Sequence, residues 1–486
     1  MKGNNRLFTK RDRKMKNMSR REFLAVAACG AAAAATMPLA GCSSELACGG
    51  GKAQKRPNII FLLTDDQRWD TMSCAGNTII QTPNMDNIAN NGVRFKNAFV
   101  TTSICCTSRA SIFSGQYARR HNINDFQADF SETALAQTYP ILLGRAGYRI
   151  GFIGKYGVGE NMPADKFDYW RGIGGQPKYE HTDSDGNYKH LTQIMGEQSI
   201  EFLRSCSKDQ PFCLSVSFKA PHVQDEDPRQ FIYDRAYKDL YKDVVIPTPE
   251  TAAPHFFDDL PAFLKENSEA RRRWDIRFST PEKFQESVKG YYRLITGVDV
   301  VIGRIRDELE RLGLDDNTII MLTGDNGFYL AERGFAGKWF AHEESIRVPL
   351  IVFDPRSKHK NRGIRVEQMV LNIDIAPTIL ELAGVDVPLQ MQGRSLAPLM
   401  AGRKVKWRTD WLYEHLFDYS RIPMSEGVRT ERWKYIRYFR QQPVYEELYD
   451  LENDPHEMVN LAKEQKYRQT LKSLRKRCDQ LINEKS

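Results

Sequence analysis

Pro57-Asn58-Ile59-Ile60-Phe61-Leu62-Leu63-Thr64-Asp65-Asp66 is a short apolar run, rich in β-branched residues, that ends on two adjacent acids. Its length and composition predict a strand. Similar runs recur at Tyr148–Ile153, Phe212–Ser217, Thr318–Leu322 and Leu350–Phe353, with helical patterns between them. One predicted helix is Tyr291–Leu312, where Ile302, Ile305, Leu309 and Leu312 recur at helical spacing and Gly313 stands as the stop. Another is Asp374–Leu382. The alternation predicts an α/β domain built on a large mixed, mostly parallel sheet flanked by helices. After about Gly402 the texture changes. Val428–Phe439 and Glu446–Leu451 read as hairpin strands, and Leu461–Ile482 as a basic amphipathic helix. Residues 56–402 are therefore expected to form the main domain, and residues 403–486 a smaller antiparallel-sheet domain capped by the terminal helix. The charged, proline-spaced stretch Asp225–Glu282 reads as a surface insertion.

In open α/β sheets, ligands collect beyond the carboxyl ends of the strands. Four predicted strands run into polar residues there: Asp65-Asp66, Lys155, His222, and Asp325-Asn326-Gly327. Adjacent carboxylates repel and are costly to desolvate unless a cation neutralises them. A single Asp-Asp pair is commonly a turn or helix cap, and an isolated Lys or His a surface charge or a hydrogen-bonded core residue. Here two acidic pairs each follow an apolar strand with Thr just upstream (Thr64, Thr323). Asp65, Asp66, Asp325 and Asn326 offer only oxygen, which favours calcium, or less readily magnesium, over zinc.

Cys105-Cys106-Thr107-Ser108-Arg109 opens another helical pattern. A thiol at a helix start, among free N–H groups and beside a guanidinium, suits anion chemistry. The same pair also fits two half-buried packing cysteines. The window resembles the signature of the formylglycine-dependent sulfatase family, in which cysteine is followed by any residue, usually proline, then serine and arginine. The order Asp65-Asp66, Cys105…Arg109, Lys155, His222, Asp325-Asn326, Lys338 follows that family, and the resemblance covers roughly residues 57–460. It implies an alkaline-phosphatase-like fold and a formylglycine made from Cys105 by a maturing enzyme. It implies a calcium held by Asp65, Asp66, Asp325, Asn326 and the modified side chain at 105. Arg109 would hold the formylglycine hydrate, while Lys155, His222 and Lys338 would grip the sulfate and help to protonate the leaving alcohol. One hydroxyl of the hydrate would attack sulfur and the other would release sulfate.

Three positions depart from the family pattern. Gly157 stands where members commonly carry a histidine two residues after the lysine; His342, His121 or Tyr156 would have to take over as base. Thr107 replaces the usual proline. Cys106 is a second thiol, but only Cys105 has Arg109 at the proper spacing.

Of the formal charge of +8, +7 belongs to the first 41 residues, which hold nine Lys/Arg and two acids and leave 61 bases against 60 acids in the rest. Nucleic acid is therefore not an expected partner. Ser19-Arg20-Arg21-Glu22-Phe23-Leu24 resembles a twin-arginine export signal, and Leu39-Ala40-Gly41-Cys42 a lipobox. Residues 1–41 are read as the signal, Cys42 as a lipid anchor and the only link to a membrane, and 42–55 as a tether. Of the nine cysteines Cys29 lies in the signal, and the seven besides it and Cys42 are scattered, with neither zinc nor disulfide spacing. The expectation is an exported sulfuric-ester hydrolase acting on a sulfated polysaccharide or glycosaminoglycan. Tyr413-Glu414-His415 and Arg119-Arg120-His121 are candidates for substrate selection. The alternatives are a phosphodiesterase or phosphonate monoester hydrolase on the same fold, and a non-catalytic lipoprotein that binds sulfated glycan.

Overall fold

A computed structural model describes residues 55–357 and 362–485. The export signal, Cys42 and nearly all of the tether lie outside the described residues. Eight strands form the main sheet: β1 (Asn58–Asp65), β2 (Val93–Phe99), β3 (Arg149–Lys155), β4 (Tyr169–Ile173), β5 (Phe212–Pro221), β6 (Thr318–Gly324), β7 (Leu350–Phe353) and β8 (Ile364–Leu371). Their spatial order is β8-β2-β7-β6-β1-β5-β3-β4, and every neighbouring pair is parallel except those made by β7.

β1 is buried along its whole length, because helices and loops cover both faces of the sheet. Ile59, Phe61 and Leu63 enter one apolar core, Ile60 and Leu62 the other. The edge strands escape sequence reading because they are polar on one side: β8 exposes Arg365, Glu367 and Gln368.

The helix expected at Tyr291–Leu312 begins ten residues earlier, as Pro281–Leu312. The Thr280 side chain accepts from Lys283 N, Pro281 occupies the first turn, and Gly313 closes the end in the left-handed conformation. Gly290 lies inside this helix, where a Cβ would sit 2.8 Å from the Phe231 side chain.

Past the main sheet, β9 (Asp410–His415), β10 (Ser425–Thr430), β11 (Trp433–Tyr438) and β12 (Tyr445–Asp450) form an antiparallel sheet in that order. The single strand expected over Val428–Phe439 is in fact two strands. Their turn carries no Gly or Pro; instead Thr430 Oγ1 accepts from Trp433 N at 2.8 Å. The terminal helix spans Arg468–Lys485, starting later than expected, and buries Leu471, Leu474, Cys478 and Leu481. These side chains, with Trp411 and Tyr435, belong to the same apolar core as Phe61 and Phe99 of the main sheet. Among the described residues no helix is long and apolar enough to cross a membrane.

Trp411 is buried with its ring centre 5.3 Å from that of Phe99 across the two sheets. Trp411→Ala is expected to cost about 3–5 kcal/mol, measured as a lower denaturation midpoint. A loss under about 1 kcal/mol would argue against a core shared by the two sheets.

Candidate active site

Four adjacent strands in the order β6-β1-β5-β3 aim their carboxyl ends at one place. β1 ends on Asp65, and Asp66 follows with φ 69°, a left-handed conformation that aspartate tolerates better than most residues. Lys155 is the last residue of β3, His222 follows β5, and Asp325-Asn326 follow β6. The chain beyond β6 then makes a short antiparallel ribbon, Tyr329–Leu330 with Ala336–Gly337, that returns Lys338 over the same point. All of these side chains are buried.

Cys105 opens a ten-residue helix, Cys105–Ser114. Its start is pinned from both sides: Ser103 Oγ donates to Ser345 O at 2.7 Å, and Asn372 Nδ2 donates to Ser108 Oγ at 3.0 Å. The two cysteines separate clearly. Cys105 lines a cavity of about 460 Å³ together with Lys155, His222 and Lys338. Cys106 belongs to the apolar core, where burial pushes its thiol up to about 12. All six cysteines among the described residues are free.

The charges interlock. Lys155 Nζ meets Asp65 Oδ2 at 2.5 Å, and Lys338 Nζ is bonded to Asp66 Oδ1 and lies 3.7 Å from Asp65 Oδ1. Burial opposes ionisation of Asp65, but the charges of Lys155, Lys338 and Arg109 outweigh it and hold its carboxyl well below the usual range. Burial, helped by the Asp65 and Asp325 carboxylates, lifts Asp66 to about 6 against the pull of Lys338. Burial also disfavours the charged form of Lys155, yet Asp65 keeps its pKa above normal. His222 donates from Nδ1 to Val223 O at 2.7 Å, which leaves Nε2 facing Asp66 Oδ2 at 3.6 Å. Burial holds the imidazole well below its ordinary pKa.

The donor set suits a hard cation. Single atoms of Asp65, Asp66 and His222 lie within 4.8 Å of one another. Asp65 Oδ1 and Asn326 Oδ1 are buried and accept no hydrogen bond among the described residues. Two such orphaned oxygens beside three carboxylates fit calcium or magnesium better than any rearrangement of protein donors. Asp325 is more fully engaged: Oδ1 accepts from Asp66 N at 3.1 Å and Oδ2 from Arg109 Nε at 2.9 Å.

Arg109 is fully buried and braces the strand ends. Nη1 donates to Lys155 O at 2.6 Å and to Ser217 Oγ at 2.5 Å, and Nη2 lies 3.3 Å from Asp65 Oδ2. This explains Gly157. Its φ is +69°, and a Cβ there would stand 2.8 Å from Arg109 Cδ, so the arginine fills the space a side chain would need. None of the three stand-ins considered for the missing histidine lines the cavity. His342 Nδ1 bonds Tyr329 OH at 2.6 Å, His121 Nε2 bonds Ser111 Oγ at 3.0 Å, and the Tyr156 ring stacks on Phe113. The two segments considered for substrate selection bind each other instead, through Arg119 Nε to Glu414 Oε2 at 2.6 Å. The stretch Asp225–Glu282, read as a surface insertion, supplies Asp225, Glu269 and Arg273 to the cavity wall.

Comparison with known proteins places the chain in a family. The sulfatase family model matches residues 57–385, and the model for the C-terminal region of N-sulphoglucosamine sulphohydrolase matches residues 331–484. The chain belongs to the sulfatase family. An N-acetylglucosamine-6-O-sulfatase of Bacteroides thetaiotaomicron is 31% identical, covering 86% of this chain and 85% of its own length. A human N-acetylglucosamine-6-sulfatase is 27% identical over 84% of this chain and 81% of its own. A structure solved with its substrate D-glucosamine-2-N,6-O-disulfate aligns at TM-score 0.74 and 29% identity, covering 88% of this sulfatase and 97% of that chain. A phosphonate monoester hydrolase from Silicibacter pomeroyi shares the fold at TM-score 0.76 and 20% identity, over 89% of this chain and 96% of its own.

Gly157→His, which installs the residue common at this position in the family, is expected to impair the sulfatase. The displaced Arg109 should lower the melting temperature and reduce sulfate-ester turnover at least about tenfold. Equal or higher turnover at an unchanged melting temperature would contradict this account of the position.

Proposed function

We propose that this sulfatase hydrolyses the 6-O-sulfate of an N-substituted glucosamine in a polysaccharide or glycosaminoglycan, working outside the cytoplasm as a lipoprotein anchored at Cys42. One observation carries the reaction: Cys105 lines a cavity together with Lys155, His222 and Lys338. The sugar rests on the relatives, two of which act on N-acetylglucosamine-6-sulfate by name. The location rests on the leader.

Asp65, Asp66, Asp325 and Asn326, with the side chain at 105, would hold a calcium ion, which supplies charge that offsets the repulsion between an anionic nucleophile and an anionic ester. Oxidised to formylglycine, the residue at 105 would supply, as its hydrate, one hydroxyl for attack and a second for regeneration. The other side chains do the binding and proton handling. Lys155 and Lys338 present ammonium groups to the sulfate oxygens, in a buried setting where such contacts are stronger than in water. The two lysines and His222 thereby orient the ester above Cys105 and exclude water from its sulfur. His222 has its Nδ1–H committed to Val223 O, and burial keeps its ring neutral, so Nε2 rests as an acceptor. The Lys338 ammonium, held charged by Asp66 and Asp65 despite its burial, is then the resting proton donor for the departing alcohol. Arg109 keeps the Asp325 and Asp65 carboxylates aimed at the site.

Two experiments test the reading. After co-expression with a maturing enzyme, mass spectrometry is expected to find Cys105 converted and Cys106 intact. The protein should then release sulfate from N-acetylglucosamine 6-sulfate, and Cys105→Ala should lose at least about 10³-fold of that rate. A converted Cys105 with no release from any sulfated sugar would sink the proposal. Separately, calcium is expected to raise the melting temperature of the wild type and a chelator to reverse the gain. Asp325→Ala should lose this response. Identical melting with calcium and with chelator would remove the metal from the scheme.

A further inference from the structure

The cavity that holds Cys105, Lys155, His222 and Lys338 is also lined by Asp225, Glu269, Arg273 and Trp339. The arginine is already committed. Arg273 Nε donates to Glu269 Oε1 at 2.8 Å, and its guanidinium carbon lies 5.1 Å from the centre of the Trp339 ring. Arg277, buried behind the wall, donates from Nε to Gln230 Oε1 at 2.9 Å. Both arginines also grip one oxygen of Asp225: Oδ1 lies 2.6 Å from Arg277 Nη2 and 3.3 Å from Arg273 Nη1.

That grip fixes the orientation of the Asp225 carboxylate and leaves its other oxygen free. Oδ2 makes no hydrogen bond among the described residues, and the side chain keeps 37% of its surface exposed. Burial works against ionisation, but the charges of Arg273, Arg277 and Lys338 hold Asp225 below the usual carboxylate range. Asp225 lines the same cavity as His222 and Lys338. The wall therefore presents an ionised, immobilised acceptor with no proton of its own. Such a group accepts strongly from a hydroxyl and repels a second anion, and the effect is largest in a partly dry pocket.

Resting on the sugar-sulfatase reading above, we propose that Asp225 determines specificity: its Oδ2 accepts a hydrogen bond from an unsubstituted hydroxyl of the sugar ring that carries the scissile sulfate, and it excludes rings bearing a second sulfate at that hydroxyl. A site built to satisfy a hydroxyl discriminates sharply against ligands that lack one.

The test compares kcat/KM on N-acetylglucosamine 6-sulfate with that on 4-nitrophenyl sulfate, an aryl ester without ring hydroxyls. The ratio of the two is independent of how much of a variant is correctly folded. Asp225→Asn keeps the shape and removes the charge; Asp225→Ala removes the acceptor. In both, the sugar-to-aryl ratio is expected to fall about 10–100-fold. Relative to the monosulfate, turnover of glucosamine 3,6- or 4,6-disulfate should rise in Asp225→Ala. An unchanged ratio in both variants overturns the assignment, as does wild-type cleavage of both disulfates as fast as the monosulfate. A wild type that cleaves the aryl ester and no sugar sulfate instead overturns the sugar reading on which this one rests.

Discussion

The whole site depends on holding three carboxylates, two ammonium groups and one guanidinium out of water at the ends of four parallel strands. Each buried ion is costly by several kcal/mol unless its partners are in place, and removing one partner leaves another charge stranded. Arg109 is the member that spans the set. It reaches Asp325 after β6, Asp65 at the end of β1, the Lys155 carbonyl on β3 and Ser217 on β5. It also belongs to the helix that begins with Cys105. The position of the thiol over the strand ends is thus set by electrostatics as well as by packing, and Gly157 is the concession that makes room for the brace.

The cavity carries both signs of charge. Lys155 and Lys338 line it with ammonium groups kept charged by the Asp65 and Asp66 carboxylates, and Asp225 and Glu269 line it with carboxylates kept charged by neighbouring arginines. An ester with an anionic head and a hydroxylated body matches that pairing. A ligand anionic throughout meets like charge at the carboxylates, and a neutral ligand gains nothing at the lysines. Selectivity on such a surface comes from refusal as much as from attraction.

Much of this was legible in sequence where local pattern and burial agree. β1, β3, β5 and β6 are central strands with apolar neighbours on both faces, so their apolar runs stand out, and the polar residues that follow them are the site. β2 and β8, with one polar side, left no comparable run. The turn at Glu431-Arg432 was hidden because a threonine side chain closes it where Gly or Asn would have announced it. The stretch after Asp225 read as surface because a sequence shows charges but not their pairing: its arginines and acids neutralise one another, and so can line a cavity. Spacing placed Arg109 near Cys105 but could not show that its guanidinium turns to Asp325 and the Gly157 gap.

One feature of the fold governs access to the thiol. Leu471, Leu474, Cys478 and Leu481 of the terminal helix seal the same apolar core that receives Cys106 and backs the helix of Cys105, and Cys105 itself ends only 2% exposed. A protein-sized catalyst can reach that thiol only while the core is open, and the terminal helix is among the elements that close it. The same four side chains that add to stability therefore also help to shut Cys105 away from any macromolecule once the core has formed.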